Sequence, residues 1–142
     1  MIGRTILITR SDIKRLERLF QRRGPHFRHD PRHLEHLKSE LKLADLVEGS
    51  DVPPDVITMY SRVLVQDLET GRNNIYVLVF PNEADLSLNK VSVLAPFGTA
   101  LLGQRTGDVI AWKMPGGKKG LFVVRSVLYQ PEAAGERILQ AA

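Results

Sequence analysis

Apolar residues recur at helical spacing early in this chain and at a spacing of two farther on, so the period itself divides the sequence. Ile13, Leu16, Leu19 and Phe20 share one side of a predicted helix, with Thr9 or Ser11 placed to cap it and Asp12 in its first turn. The stripe stops at Arg22-Arg23-Gly24-Pro25, where glycine and proline oppose continuation. A second helix starts from Asp30 as cap and Pro31 at the first helical position, then carries Leu34, Leu37, Leu41, Ala44 and Val47 along one face. Residues 6–8 read as a brief edge strand or an extended lead-in.

The short stretch between the helices, from Gly24 to His29, suits an antiparallel helical hairpin. Each arm of about 13 to 17 residues reaches roughly 20 to 25 Å. Isolated helices of that length are marginal in water, so the hairpin requires packing of its arms on each other and on the rest of the chain. The predicted far end collects Arg22, Arg23, His26, Arg28, His29 and Arg32, with Asp30 as its one carboxylate.

Residues 48–55, EGSDVPPD, read as a linker, because Gly49, Ser50 and the paired prolines suit no helix interior. Beyond it, residues 62–67 and 74–80 alternate as antiparallel strands joined through Glu69-Thr70-Gly71, with Val63, Val65, Ile75, Val77 and Val79 as the inward set. Residues 91–94, 108–114 and 121–129 supply three further strands, and Pro115-Gly116-Gly117 turns the last pair. Pro96 opens a short helix bearing Phe97, Ala100, Leu101 and Leu102, which Gly103 ends. These elements predict an α+β protein: an antiparallel helical hairpin over residues 1–50, and an antiparallel five-stranded sheet with one short helix over residues 51–142.

The 142 residues are enough for a real core, burying roughly 65 to 70% of the unfolded surface without metal or disulfide. The absence of cysteine excludes a thiol nucleophile and cysteine zinc sites, and fits a reducing cytoplasm. The opening MIGRTILITR has too short an apolar run for a signal peptide or a membrane span, so no membrane partner is expected. Net charge is +4, yet residues 1–47 hold 11 Lys or Arg against 6 Asp or Glu, and the remainder holds 9 against 10. All the excess positive charge therefore lies in the helical third, which is suited to an acidic partner, protein or phosphate backbone. His26, His29, His33 and His36 lack an HExxH order and any cysteine, so no metal and no other cofactor is assigned. Lys118 and Lys119 follow a turn rather than a nucleotide-binding sequence, and Trp112 lies on a strand with no RNA-binding spacing around it.

The segment NEADLSLNKVSVLAPFGTALLGQRTGDVIAWKMPGG resembles the C-terminal domain of the family formed by the bacterial Gre transcript-cleavage factors and the related Rnk regulators of nucleoside diphosphate kinase. The resemblance rests on Glu83-Ala84-Asp85, Val91-Ser92-Val93, Pro96, Ala100-Leu101-Leu102-Gly103, Gly107-Asp108 and Pro115-Gly116-Gly117. The Rnk side is favoured by Pro53-Pro54-Asp55, Ser61-Arg62-Val63, Leu94-Ala95-Pro96 and the run from Tyr129 to Gly135. This resemblance implies an FKBP-like C-terminal domain docking on RNA polymerase at the rim of the secondary channel, and a short coiled coil directed into that channel. It also implies docking through Leu94, Ala95, Pro96, Phe97 and Gly98, with Phe97 as a possible apolar anchor.

Gre factors present acidic residues at a long coiled-coil tip to help hold catalytic metal. The tip here is cationic, and Asp30 is accounted for as a helix cap, so the chain is expected to be noncatalytic. The expected function is a polymerase-binding regulator that competes with Gre-type factors. The alternatives are direct regulation of nucleoside diphosphate kinase, weak nucleic-acid contact through the basic tip, and peptidyl-prolyl isomerisation by fold analogy alone.

Overall fold

The computed structural model describes residues 6–21, 31–113 and 119–135. The predicted tip residues Arg22, Arg23, His26, Arg28, His29 and Asp30 lie outside the described residues, and Arg32 is described only as part of a helix.

The chain begins with β1 (Leu7–Thr9) and passes directly into α1 (Arg10–Phe20). Thr9 is the cap: its Oγ1 accepts the Asp12 N–H at 3.1 Å, satisfying one of the amides a helix start leaves unpaired. Leu16 and Leu19 are buried, as the sequence stripe requires. The second helix, α2 (Pro31–Lys42), buries Leu37 and Leu41. At one end of the pair Lys38 Nζ stands 5.4 Å from the Phe20 ring centroid, and at the other Ile13 and Lys14 share a groove with Leu41 and Lys42.

The second helix stops at Lys42, so Val47 does not continue its apolar face as the periodicity suggested. Asp45–Val47 instead forms β2, parallel to β1, with Leu7, Ile8 and Thr9 opposite Asp45, Leu46 and Val47. A parallel pair needs a long crossover, and here the two helices supply it. The lead-in strand is therefore no edge of the main sheet; it closes the helical unit at its base.

The main sheet contains β3 (Arg62–Asp67), β4 (Asn73–Val79), β5 (Lys90–Ser92), β6 (Val109–Lys113) and β7 (Lys119–Tyr129), in the order β5-β4-β3-β7-β6. The expectation of a wholly antiparallel sheet is corrected at β5, which runs parallel to β4, with Leu78 opposite Val91. Between them two 3₁₀ turns, Pro81–Glu83 and Leu86–Leu88, return the chain to the start of its neighbour instead of folding it into a hairpin. Register shifts between β3 and β7 at Arg62/Val63 and Leu64/Val65 add local twist. The short helix α3 (Pro96–Leu101) touches both β5 and β6, the two outermost strands, so the sheet curls around it into a half-barrel.

The inward set read on β4 holds only in part, with Val79 buried, Val77 half-buried and Ile75 turned out. Val63 faces Tyr76, and Leu78 is fully buried whereas Ile75 is 44% exposed. Both alternate sets on this strand are apolar, so period two could not say which one faces the core. One buried cluster holds Val63, Val65, Leu78, Val93, Leu101 and Val124 together with Leu16, Leu19, Leu37, Leu41, Ile57 and Met59. Helices and sheet thus share one continuous interior. The presumed linker is pinned too: Gln130 Nε2 donates to the carbonyls of Pro53 at 2.8 Å and Val56 at 2.7 Å.

Candidate functional site

The corner between β5 and α3 holds the five residues singled out for docking. Ser92 organises it: its Oγ accepts the Leu94 N–H at 3.0 Å, and its carbonyl accepts the Ala95 N–H at 3.0 Å. Thr99 closes the other side, its hydroxyl donating to the Val93 carbonyl at 2.6 Å and its amide to the Ala95 carbonyl at 2.8 Å. Pro96 opens α3, where its missing N–H costs nothing and its fixed φ is preset for the helix. Gly98 is dictated by space, since a Cβ there would lie 1.9 Å from the Ser92 carbonyl oxygen.

These five residues do not share one exposure. Leu94 is fully buried, Gly98 is buried, and Phe97 packs edge-on between Tyr76 and Phe122 at centroid distances of 5.0 and 5.5 Å. Phe97 therefore braces the interior, and the outward surface of the corner is Ala95, half-buried, and Pro96, exposed. Such a surface carries no proton donor or acceptor side chain to do chemistry. It offers a rigid apolar corner, whose ordering is complete before any partner arrives.

A second polar constellation joins α1 to the sheet. Asp12, 1% exposed, accepts the Met59 N–H through Oδ2 at 3.1 Å. Burial pushes its carboxyl up to about 7, with the Glu132 charge adding to the rise while the Met59 hydrogen bond, Arg15 and Thr9 oppose it. Glu132 accepts from the Thr58 hydroxyl at 2.7 Å, so the two carboxylates hold adjacent residues of one segment. One turn along α1, Arg15 Nη2 donates to the Tyr60 hydroxyl at 3.2 Å, and that hydroxyl donates to Glu83 Oε1 at 2.5 Å. Burial, then the Glu83 hydrogen bond, pushes the Tyr60 phenol up to about 12.

Sequence reasoning missed this constellation. Asp12 read as a first-turn helix residue, and nothing in its spacing told of Met59, 47 positions away. Tyr60 adopts φ +68°, a conformation that no local motif around it announces. Among the described residues no group of three or more His, Cys, Asp or Glu is placed to hold a metal ion. His36 pairs with Glu40 at 3.4 Å along α2. Among the described residues no helix is long and apolar enough to cross a membrane.

This architecture, a helical unit packed on a curled sheet, is similar to that of a bacterial transcription elongation factor of known structure. That protein, the GreA/GreB factor of Nitrosomonas europaea, superposes with a TM-score of 0.73 at 34% identity, over 89% of this chain and 100% of that one. Residues 52–129 match the family of the C-terminal part of transcription elongation factors GreA/GreB, and residues 4–47 match the Rnk N-terminus family. The "Regulator of nucleoside diphosphate kinase" of Escherichia coli K12 is 43% identical over 103 residues, 72% of this chain and 76% of that protein. The transcription elongation factor GreA of Syntrophus aciditrophicus is 34% identical over 91 residues, 64% of this chain and 56% of that one. The chain belongs to the Rnk/GreA-GreB family.

Proposed function

We propose that this protein is a noncatalytic transcription regulator that binds RNA polymerase at the rim of the secondary channel and competes there with Gre-type factors. The observation that carries the reading is the family match over residues 52–129, the segment that builds the Ala95-Pro96 corner. In this reading residues 51–142 form an FKBP-like docking domain that engages the polymerase through residues 94–98. Residues 1–50 form an antiparallel hairpin, a short coiled coil that enters the channel mouth. The opposite senses of α1 and α2, with Phe20 beneath Lys38 and Ile13 beside Leu41, support that hairpin. Its far end bears Arg22, Arg23, His26, Arg28, His29, Asp30 and Arg32.

Metal-assisted transcript hydrolysis needs several oxygen ligands within a few Å of the cations, and arginine repels those cations. One carboxylate between Arg22 and Arg32, which the sequence reads as a helix cap, supports occupancy of the channel without chemistry. The site of action is the cytoplasm, with polymerase as the partner.

A second reading, direct control of nucleoside diphosphate kinase, is favoured by the name of the Escherichia coli relative. Competition between this protein and a GreA factor for purified RNA polymerase tests the first reading, with a kinase pull-down run alongside. Mutual displacement from polymerase is expected. Capture of the kinase with no polymerase binding would overturn the polymerase reading in favour of the second.

A further inference from the structure

A cleft of about 290 Å³ opens between α1 and the sheet domain, walled by Arg15 and Arg18 on one side and by Tyr60, Phe80, Asn82 and Glu83 on the other. The Arg15 guanidinium carbon lies 4.5 Å from the Phe80 ring centroid and 5.4 Å from that of Tyr60, so two aromatic faces clamp it. Its Nη2 is used on the Tyr60 hydroxyl, and its Nη1 is the one buried side-chain nitrogen or oxygen without a hydrogen-bond partner among the described residues. Neither Arg15 nor Arg18 forms an ion pair within 4.0 Å among those residues. The one carboxylate on the cleft, Glu83, is engaged by the Tyr60 hydroxyl.

The Arg15 guanidinium is half-buried against the two rings, with Nη1 turned away from the cleft and the rest of the group along its wall, while Arg18 is exposed beside it. The carboxylates nearest Arg15 are already engaged, Asp12 by the Met59 N–H and Glu83 by the Tyr60 hydroxyl. Two arginines against one carboxylate leave the cleft net positive, and a guanidinium held by aromatic faces is a preorganised donor for an oxyanion. At roughly 30 Å³ per water, the volume suits one tetrahedral or planar oxyanion with a few waters, and falls just short of the range of drug-sized ligands.

We propose that this cleft binds a single oxyanion group, a phosphate or a carboxylate, between Arg15 and Arg18. The test is NMR titration of the full chain with inorganic phosphate and, separately, with acetate, at ionic strength held constant with chloride. Saturable shifts at Tyr60 and the Asn82 side-chain amide are expected. Arg18→Gln, which leaves the Arg15–Tyr60 contact untouched, should weaken the midpoint at least fivefold. Arg15→Lys, which keeps the charge and removes the fork, should weaken it as well. Tighter binding of phosphate identifies a phosphorylated ligand, and tighter binding of acetate identifies a carboxylate. Linear drift with both anions, or a midpoint unchanged by Arg18→Gln, would overturn the proposal. No polymerase is present in the titration, so its outcome is separable from the competition experiment.

Discussion

Asp12 Oδ2 and the Met59 N–H meet at 3.1 Å inside the protein, tying the first turn of α1 to the segment that leads into the sheet. The aspartate is buried and its carboxyl is pushed up from 3.8 to about 7. Between those pH values the folded protein holds a proton that the unfolded chain has released, so raising the pH disfavours folding. The stability from the neutral form is complete below about pH 3.8 and is lost as the pH rises through 7. At 1.36 kcal/mol per unit, the span corresponds to at most about 4 kcal/mol. Urea unfolding of the wild type should therefore show a midpoint that falls from about pH 4 to pH 7 and levels off above that. Asp12→Asn keeps an oxygen for the Met59 N–H and removes the titration, so its midpoint should be flat over that window. An equal slope in the variant would assign the pH dependence elsewhere.

Gly98 offers a sharper steric test. A Cβ there would sit 1.9 Å from the Ser92 oxygen and 2.7 Å from the Ser92 carbonyl carbon, and neither backbone atom can move without opening the corner. Gly98→Ala should cost about 2 to 3 kcal/mol, lowering Tm by roughly 5 to 10 °C. Gly71→Ala is the control, since Gly71 has φ +76° and nothing within 4 Å of the new carbon. It should cost only about 1 kcal/mol of backbone strain. Calorimetry on the two variants separates crowding from conformation, and equal losses would refute the crowding.

How far the chain could be read without its structure depends on where the information lies. The strand Arg62–Asp67 was legible because only one of its alternating sets is strongly apolar and polar residues bound it. The next strand defeated the same rule, since Ile75, Val77 and Val79 alternate with Tyr76, Leu78 and Phe80, and only pairing with Val63 decides the inward set. Pro96 was placed correctly, and Thr9 was one of two cap candidates, because caps and first-turn prolines are local physics. The β1–β2 ribbon and the parallel β5 join distant positions through backbone groups alone, and the Asp12 carboxylate finds a backbone N–H as its partner, so side-chain patterns carry no signal of these pairings. The proposed docking corner was suggested by resemblance alone, and burial divides it: Phe97 belongs to the core, leaving Ala95 and Pro96 outside.

The charge of the predicted tip leads us to expect no cleavage chemistry. With Asp30 alone among the arginines, the protein should leave the rate of transcript shortening by backtracked polymerase at the polymerase-alone value. A gel assay at saturating protein measures this, and clear acceleration would show that ligands for metal come from elsewhere. His36, paired with Glu40 along α2, would then be the first residue to replace, because it lies on the helix that leads back from the tip.

The proposal that the Ala95-Pro96 corner meets polymerase is tested by Pro96→Asp. Pro96 is exposed, stands at the first position of α3 and donates no hydrogen bond, so its replacement disturbs no described contact of the core. Aspartate is well tolerated in a first helical turn, where its charge complements the helix dipole, so the fold and Tm should stay close to wild type. The same charge in the centre of a desolvated contact lacks a partner, which should weaken polymerase binding at least tenfold, or about 1.4 kcal/mol. Phe97→Leu is the counterpart from inside the corner. It should lower stability by loosening the Tyr76–Phe97–Phe122 stack, while affinity measured on the folded fraction changes little. If Pro96→Asp binds polymerase as tightly as wild type while remaining folded, the docking surface lies on another face of the sheet domain.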